Sequence, residues 1–286
     1  MTRWIVVPLV CAAVPLAAQQ QVTLRYRPAV GTPLVTLTEV RTVTTVFGIP
    51  ALPDGSAYET ERRVSATQRV LEAQDGAVTV EVSVDSVRAR RRQLPDGPWT
   101  DVTASGDVGA PARAAVDERF QVVGLTSAGA ADGRVLRMLG ASFVGLGFGF
   151  PAAPVAVGET FATGGTVQLD VGLFPEAGLA LTETVLGDLA LTLDSVVTSG
   201  ADELSYLSFR GSLLPGGRAP GDEAGNTVVT FTGGFAGRLI WSAGWNAFVS
   251  GAARFQIQGQ IRAGTGAAVT TAAAAWDVVI THRIRP

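Results

Sequence analysis

The sequence predicts an all-β protein, mainly antiparallel, made of two tandem related β-sheet or open-barrel lobes with one short helix in the linker between them. Three observations lead to this prediction: apolar and polar residues alternate with a period of two, Asp-Gly pairs punctuate the chain, and two short motifs occur twice in the same order. Period-two alternation places successive side chains on opposite faces of a strand, so one face of each strand can be buried.

The alternation is clearest in "VTVEVSV" (residues 78–84) and "RFQIQGQIR" (residues 254–262), where every second residue is apolar, with one glycine in the second run. Asp-Gly pairs favour tight hairpin turns. They occur at Asp54, Asp75, Asp96 and Asp132. Only "GRVLRMLGASF" (residues 133–143) has a helical pattern, and it predicts the short helix.

Two motifs are echoed. "AVGTPL" (residues 29–34) returns as "AVGETF" (residues 156–161), and "VSVDSV" (residues 82–87) returns as "LTLDSV" (residues 191–196). In both copies of the second motif the period-two pattern slips by one residue at an Asp-Ser pair. A slip of this kind is typical of a β-bulge, so bulges are predicted at Asp85-Ser86 and Asp194-Ser195. The alternative is that the two carboxylates line a site.

These landmarks divide the chain into a signal peptide (1–19), a first β lobe (20–130), a linker (131–154) and a second β lobe (155–286). The first segment has an early arginine, a short apolar run and an Ala-rich end, which predicts export and cleavage near Ala18. The apolar run is shorter than the roughly 20 residues that span a bilayer. The only cysteine, Cys11, leaves with this segment, so the mature chain is predicted to be cysteine-free, without disulfides or a thiol nucleophile.

Three short stretches carry a resemblance to a known group. They are "LRYRPAVG" (residues 24–31), "DGRV" (residues 132–135) and "PAAPVAVGETF" (residues 151–161). In these the chain resembles exported bacterial β-rich proteins that carry a domain of unknown function and a repeated V-G-[DE]-x-[FW] opening motif. The resemblance implies a two-part periplasmic or extracellular protein, and it implies no activity and no catalytic residue.

The charge balance argues against a nucleic-acid partner. The formal net charge is −3, whereas nucleic-acid-binding domains are usually basic. "RARRR" (residues 88–92) is the one dense basic run, and the matching stretch of the second lobe has no basic residue. The run is therefore predicted to lie in solvent on one arm of a hairpin, where its charge discourages edge-to-edge pairing with another strand. A contact with anionic envelope components is the alternative.

No catalytic constellation is visible, so no catalytic residue, cofactor or metal ligand is predicted. His282 is the only histidine, and no nucleophile elbow accompanies it. One histidine without cysteine in the mature chain also disfavours a transition-metal site. A hydrolase using a pair of carboxylates stays open as an alternative. Its candidates are Glu159, Asp170, Glu176 and Glu183.

The second lobe is rich in aromatic residues, which predict either a β core or an apolar ligand pocket. The pocket candidates are Phe231, Phe235, Trp241, Trp245, Phe248 and Phe255. The favoured function is a non-catalytic envelope-associated binding or structural module, exported to the periplasm or the exterior and not an integral membrane protein. A carrier of a lipid or other apolar molecule is the alternative. An outer-membrane barrel is disfavoured, because the chain ends "HRIRP" without a terminal aromatic residue.

Overall fold

The computed structural model describes residues 20–48, 52–74, 76–102, 108, 111–125, 146–174, 179–213, 227–263 and 270–285. The predicted signal peptide and the candidate helix at residues 133–143 lie outside these ranges. Every regular element in the described part is a β-strand and every strand pair is antiparallel, which confirms the predicted fold class. No helix among the described residues is long and apolar enough to span a bilayer.

Fifteen strands are described, and their lengths range from two to twenty-one residues. They are β1 (Gln21–Val22), β2 (Pro33–Phe47), β3 (Ser56–Gln74), β4 (Ala77–Gln93), β5 (Thr100–Val102), β6 (Ala112–Asp117), β7 (Val122–Leu125), β8 (Leu146–Gly147), β9 (Val155–Ala156), β10 (Thr160–Phe174), β11 (Leu179–Ser199), β12 (Asp202–Leu213), β13 (Thr227–Ser242), β14 (Ala247–Ala263) and β15 (Thr270–Arg285).

One large sheet contains thirteen of these strands, in the order β7-β6-β4-β3-β2-β15-β14-β13-β12-β11-β10-β8, with β5 paired to β4. Strands β1 and β9 form a separate two-stranded sheet. The last long strand, β15, pairs with the first long strand, β2, over thirteen residue pairs from Ala273↔Phe47 to Arg285↔Val35. Both predicted lobes therefore contribute strands to the same sheet.

Residues 148–159 touch both halves of this sheet. The Phe150 amide donates to the Arg119 carbonyl in the β6–β7 turn, at 2.6 Å. The Gly158 amide donates to the Leu193 carbonyl of β11, at 2.7 Å. Since β6 and β11 lie far apart in the strand order, the sheet must curl for one short segment to reach both.

The inner face of the curled sheet forms one apolar core. Buried residues alternate along the strands, as in Val78, Val80, Val82 and Val84 of β4, so the period-two pattern has one side in the core. Aromatic rings from the sheet and from the segments that cover its inner face pack together, mostly edge to face. This aromatic cluster contains Tyr26, Phe120, Phe148, Phe150, Trp241 and Phe248.

The register shifts at both Asp-Ser pairs. Ser65 pairs with Ser86 while Ala66 pairs with Val84, so Asp85 has no partner on β3. Leu193 pairs with Leu207 while Ser195 pairs with Tyr206, so Asp194 has no partner on β12. Each aspartate also accepts a hydroxyl hydrogen bond from the facing strand.

The two shifts occupy different places in the order of the strands. Asp85 lies on β4, the third long strand after the first opening turn, and its shift is against the preceding strand. Asp194 lies on β11, the second long strand after the second opening turn, and its shift is against the following strand. The echoed motifs are therefore not at equivalent points of two identical strand plans.

Candidate functional site

The arginine run of β4 is ion-paired on the outer face of the sheet. The Arg90 Nε donates to a carboxylate oxygen of Glu61 at 2.7 Å, and the Arg92 Nε donates to Glu59 at 2.6 Å. The pairs follow from the register, which places Arg90 opposite Glu61 and Arg92 opposite Glu59. Arg41 of β2 also binds Glu59, from the other side.

Glu59 is the centre of this network. Its side chain is only 1% exposed, although it belongs to the outer face. Burial alone would raise the pKa of the Glu59 carboxyl, but the hydrogen bonds from Arg92 and Arg41 outweigh it and hold this pKa below its usual range. The carboxylate is therefore charged and matched by two guanidinium groups.

Trp99 covers the same arginines. Its ring lies 4.4 Å from the Arg90 guanidinium carbon and 4.8 Å from that of Arg92, within the range of cation–π attraction. Ion pairs with glutamates and contact with the Trp99 ring therefore engage Arg90 and Arg92, two of the four arginines of this run, within the protein.

A different part of the outer face, over β11, β12 and β13, carries an open depression of about 580 Å³. Small and hydroxylated side chains and two arginines line it. The lining residues are Ala190, Thr192, Ser208, Phe209, Arg210, Ala236, Gly237 and Arg238. The two arginines suit an anionic group, and the small side chains around them let it lie flat on the sheet.

The two arginines of the depression are diagonal neighbours. Arg238 pairs with Ser208, and Arg210 lies two residues further along the same strand. Diagonal positions on neighbouring strands are about 7–8 Å apart, so both guanidinium groups can reach one ligand. Both side chains are exposed, and within the described part of the chain neither forms an ion pair, although the exposed Asp188 is a diagonal neighbour of Arg210.

The strands beneath the depression pack very closely. A Cβ added at Gly237 would lie 2.4 Å from the Phe209 ring and 2.1 Å from the Ala252 carbonyl oxygen, so glycine is required there. At the rim, the Ser208 hydroxyl donates to Asp194 at 2.8 Å. The second register shift is thus joined by a hydrogen bond to a residue that lines the depression.

The six aromatic residues predicted as a pocket are distributed over the core and one turn. Trp245 lies on the β13–β14 turn and is 48% exposed. The other five are buried in three separate ring contacts: Trp241–Phe248 at 5.0 Å, Phe235–Phe255 at 5.4 Å and Phe231–Trp276 at 6.0 Å.

The space beside His282 is small. A cavity of about 10 Å³, lined by Tyr26, Gln68 and His282 among others, has room for about one water molecule. His282 is 3% exposed, and its Nδ1 lies 3.2 Å from the Thr38 hydroxyl. Burial lowers the pKa of His282 to about 4, against the weaker opposing effect of a backbone hydrogen bond with Phe248.

The candidate carboxylates of a hydrolase are only partly described. Glu159 accepts the Ala156 amide at 2.8 Å and so supports its own turn. Asp170 and Glu183 lie on β10 and β11, and Glu176 lies outside the described residues. Among the residues that the structure describes, no three His, Cys, Asp or Glu side chains are grouped as a metal site would require.

Sequence reasoning missed Arg210 and Arg238. Each is a single arginine in an ordinary strand, without a motif around it. Only the pairing register shows that the two are neighbours and that the residues opposite them are Ala190, Ala236, Ser208 and Ala252.

No protein-family model matches this chain. No curated protein gives a significant sequence match. Among solved structures, the chain is similar to an outer membrane channel from Pseudomonas putida F1, at 9% identity over 91% of this chain and 98% of that chain, with a TM-score of 0.28. A TM-score this low does not establish a shared fold.

Proposed function

We propose that the protein is an exported, non-catalytic binding module of the bacterial envelope, and that it binds an anionic ligand on the outer face of β11–β13. Arg210 and Arg238 hold the anionic group. The Ser208 hydroxyl donates its proton to Asp194 and the Thr192 hydroxyl is hydrogen-bonded to Thr160, so their oxygens accept hydrogen bonds from hydroxyl groups elsewhere on the ligand. A guanidinium group presents two parallel N–H donors to a carboxylate or phosphate, which gives both affinity and orientation.

The single observation that carries this proposal is the contrast between two sets of outer-face arginines. Arg41, Arg63, Arg90 and Arg92 are each paired with a glutamate. Arg210 and Arg238 line an open depression and have no acidic partner among the described residues. Cations that the fold does not neutralise are available to a ligand.

The envelope location is supported first by the sequence. The first nineteen residues have the pattern of a secretory signal, and the resemblance to exported bacterial proteins points the same way. The polar outer face of β14 agrees with an aqueous compartment. On β14 the outward positions are Ala252, Arg254, Gln256, Gln258 and Gln260, whereas a lipid-facing strand carries apolar residues there.

The carrier alternative has weaker support. A lipid-sized site takes several hundred cubic ångströms of mainly apolar space. In the described part of the chain, five of the six candidate pocket residues are at most 4% exposed and pack on one another or on other core residues. This burial favours a ligand on the outer face of the sheet over a ligand among these rings.

The test is a binding measurement with a defined anionic probe. A hexamer of galacturonate is titrated into the purified full-length chain by calorimetry, with a neutral galactose hexamer as the ligand control. Arg210→Ala/Arg238→Ala is expected to weaken binding at least about ten-fold, because two charge-assisted contacts are lost. Arg63→Ala/Arg90→Ala removes the same charge from the paired set and is expected to change affinity less than about two-fold.

Two results would overturn the proposal. One is the absence of any binding that distinguishes the acidic from the neutral hexamer. The other is an equal loss of affinity in both double variants, because only net charge would then matter. Circular dichroism of each variant checks that it is folded.

A further inference from the structure

A third exposed arginine continues the line set by Arg210 and Arg238. Arg283 lies on β15, with an outward-facing, exposed side chain. The register of β13, β14 and β15 places it opposite Ser250, which in turn is opposite Ile240, two residues beyond Arg238. Moving from β12 to β13 to β15, each arginine is therefore displaced in the same direction along the strands.

The distances along this line follow from sheet geometry. Arg210 and Arg238 are diagonal neighbours, about 7–8 Å apart. Arg238 and Arg283 are separated by two strand spacings and one two-residue step, which is roughly 12 Å. The three positions form a diagonal basic track about 20 Å long across the outer face.

Hydroxyl groups fill the spaces between the arginines. Ser208 lies opposite Arg238, Thr281 is its neighbour two strands away, and Ser250 lies opposite Arg283. Arg283, like the other two arginines, forms no ion pair within the described ranges. The track thus alternates cations with hydroxyl donors and acceptors over its whole length.

The surroundings keep the track narrow. On one side, Arg254 is neutralised by Asp277 at 2.6 Å. On the other side, outward positions hold Tyr206 and Ile240, which are half-buried and uncharged. Arg285, two residues beyond Arg283 on β15, is also exposed on the same face, so the available charge follows the diagonal line and continues along β15 from its end.

We propose that the basic track of Arg210, Arg238 and Arg283 binds a linear acidic polysaccharide, with successive anionic groups on successive arginines. This rests on the proposed function and names its ligand class. A single small anion would engage two arginines at most, since the track is about 20 Å long. Hydroxyls between the cations match the hydroxyls between the acidic groups of such a chain.

Two other polyanions fit less well. Single-stranded nucleic acid is bound through several aromatic side chains on which successive bases stack. Among the described residues beside the track, Phe209 is buried in the core and Tyr206 is half-buried. The formal net charge of −3 also opposes a nucleic-acid partner. An anionic lipid surface is met best by a basic surface with protruding apolar side chains, whereas this line is a flat row of strand positions.

The test is the dependence of affinity on ligand length. Galacturonate dimer and hexamer are titrated into the full chain and into Arg283→Ala. The hexamer is expected to bind at least about ten-fold more tightly than the dimer. Arg283→Ala is expected to weaken hexamer binding about five- to ten-fold and to leave dimer binding unchanged. Arg88→Ala, which removes one exposed arginine from β4, is the charge-matched control and is expected to have no effect on either ligand.

The outcomes separate this inference from the proposed function. If dimer and hexamer bind equally, or if Arg283→Ala has no effect while Arg210→Ala/Arg238→Ala still abolishes binding, the track is wrong and the two-arginine site stands. If neither oligomer binds, the proposed function fails as well. Tighter binding of a single-stranded DNA of equal charge, or of anionic phospholipid vesicles, would overturn the polysaccharide assignment.

Discussion

The outer faces of β2–β4 and β11–β13 use arginine in opposite ways. On β2–β4, four arginines are each paired with a glutamate, and Glu59 is buried between Arg41 and Arg92. On β11–β13, Arg210 and Arg238 face alanine, serine and an open depression. The lesson is that the density of charge in the sequence says little about the charge available to a partner, because the pairing register decides which cations are already neutralised.

The inner faces differ as well. Strand β4 buries valines in its first half, at positions 78, 80, 82 and 84. Strands β12 and β13 bury Leu207, Phe209, Phe235 and Leu239, and set Phe209 against Gly237. The proposed binding face therefore lies over a packed layer in which the Phe209 ring occupies the space that a side chain at position 237 would need.

Gly237→Val tests that support and has the largest expected effect. A side chain at position 237 would clash with the Phe209 ring and with the Ala252 carbonyl oxygen. The carbonyl oxygen belongs to the backbone of β14 and cannot move away as a flexible side chain could. We expect a loss of about 3 kcal/mol or more in the free energy of unfolding, measured by urea denaturation. Gly124→Ala is the control, since its Cβ would lie 3.7 Å from Ala115 Cβ, an ordinary contact. Equal stability of the two variants would contradict the close packing under the depression.

We expect the free energy of unfolding to depend on pH through His282, which lies on β15 where this strand pairs with β2. Its pKa is about 4 in the folded chain, against 6.5 as the ordinary value. Between these pH values the unfolded chain binds more protons, so stability falls as pH is lowered from about 6.5 to about 4, by about 3 kcal/mol in total. His282→Gln removes this loss. Unfolding free energies of both proteins at a series of pH values check it, and an unchanged pH dependence in the variant would contradict it.

The sequence predicted the all-β fold well because alternation and turn residues are local signals. Val78 to Val84 show which side of β4 is buried without knowledge of its neighbours. The binding face could not be predicted in this way. Whether Arg90 or Arg210 is paired depends on residues 29 and 20 positions away in the chain, Glu61 and Ala190, and on a register that a one-residue slip would change.

Glu59→Gln tests the paired region. The substitution removes the charge that holds Arg41 and Arg92 but keeps the shape of the side chain. We expect a loss of about 1–2 kcal/mol, since both arginines remain partly exposed and regain water. Arg210→Gln is expected to change stability by less than about 0.5 kcal/mol, because no ion pair is lost there. Thermal unfolding of the two variants under the same conditions measures the difference in stability. Similar losses of stability in both variants would contradict the contrast between the two faces.

The smallest expected effects on stability come from substitutions at the two register shifts, because each region has one such shift at an Asp-Ser pair. Asp85 accepts the Thr67 hydroxyl and Asp194 accepts the Ser208 hydroxyl, each at 2.8 Å and each exposed. Asp85→Ala and Asp194→Ala are each expected to cost about 0.5–1 kcal/mol if the aspartates only satisfy the local geometry of a bulge.

Ligand binding separates the two aspartates. Ser208 lines the depression, so the freed hydroxyl in Asp194→Ala is expected to alter affinity for the galacturonate hexamer, and Asp85→Ala is not. Removal of a carboxylate beside an anion site favours binding, so the expected change is a modest gain of about two-fold. Unchanged melting together with lost binding in Asp194→Ala would instead make this aspartate a ligand contact, and the same result in Asp85→Ala would show that the two faces are alike after all.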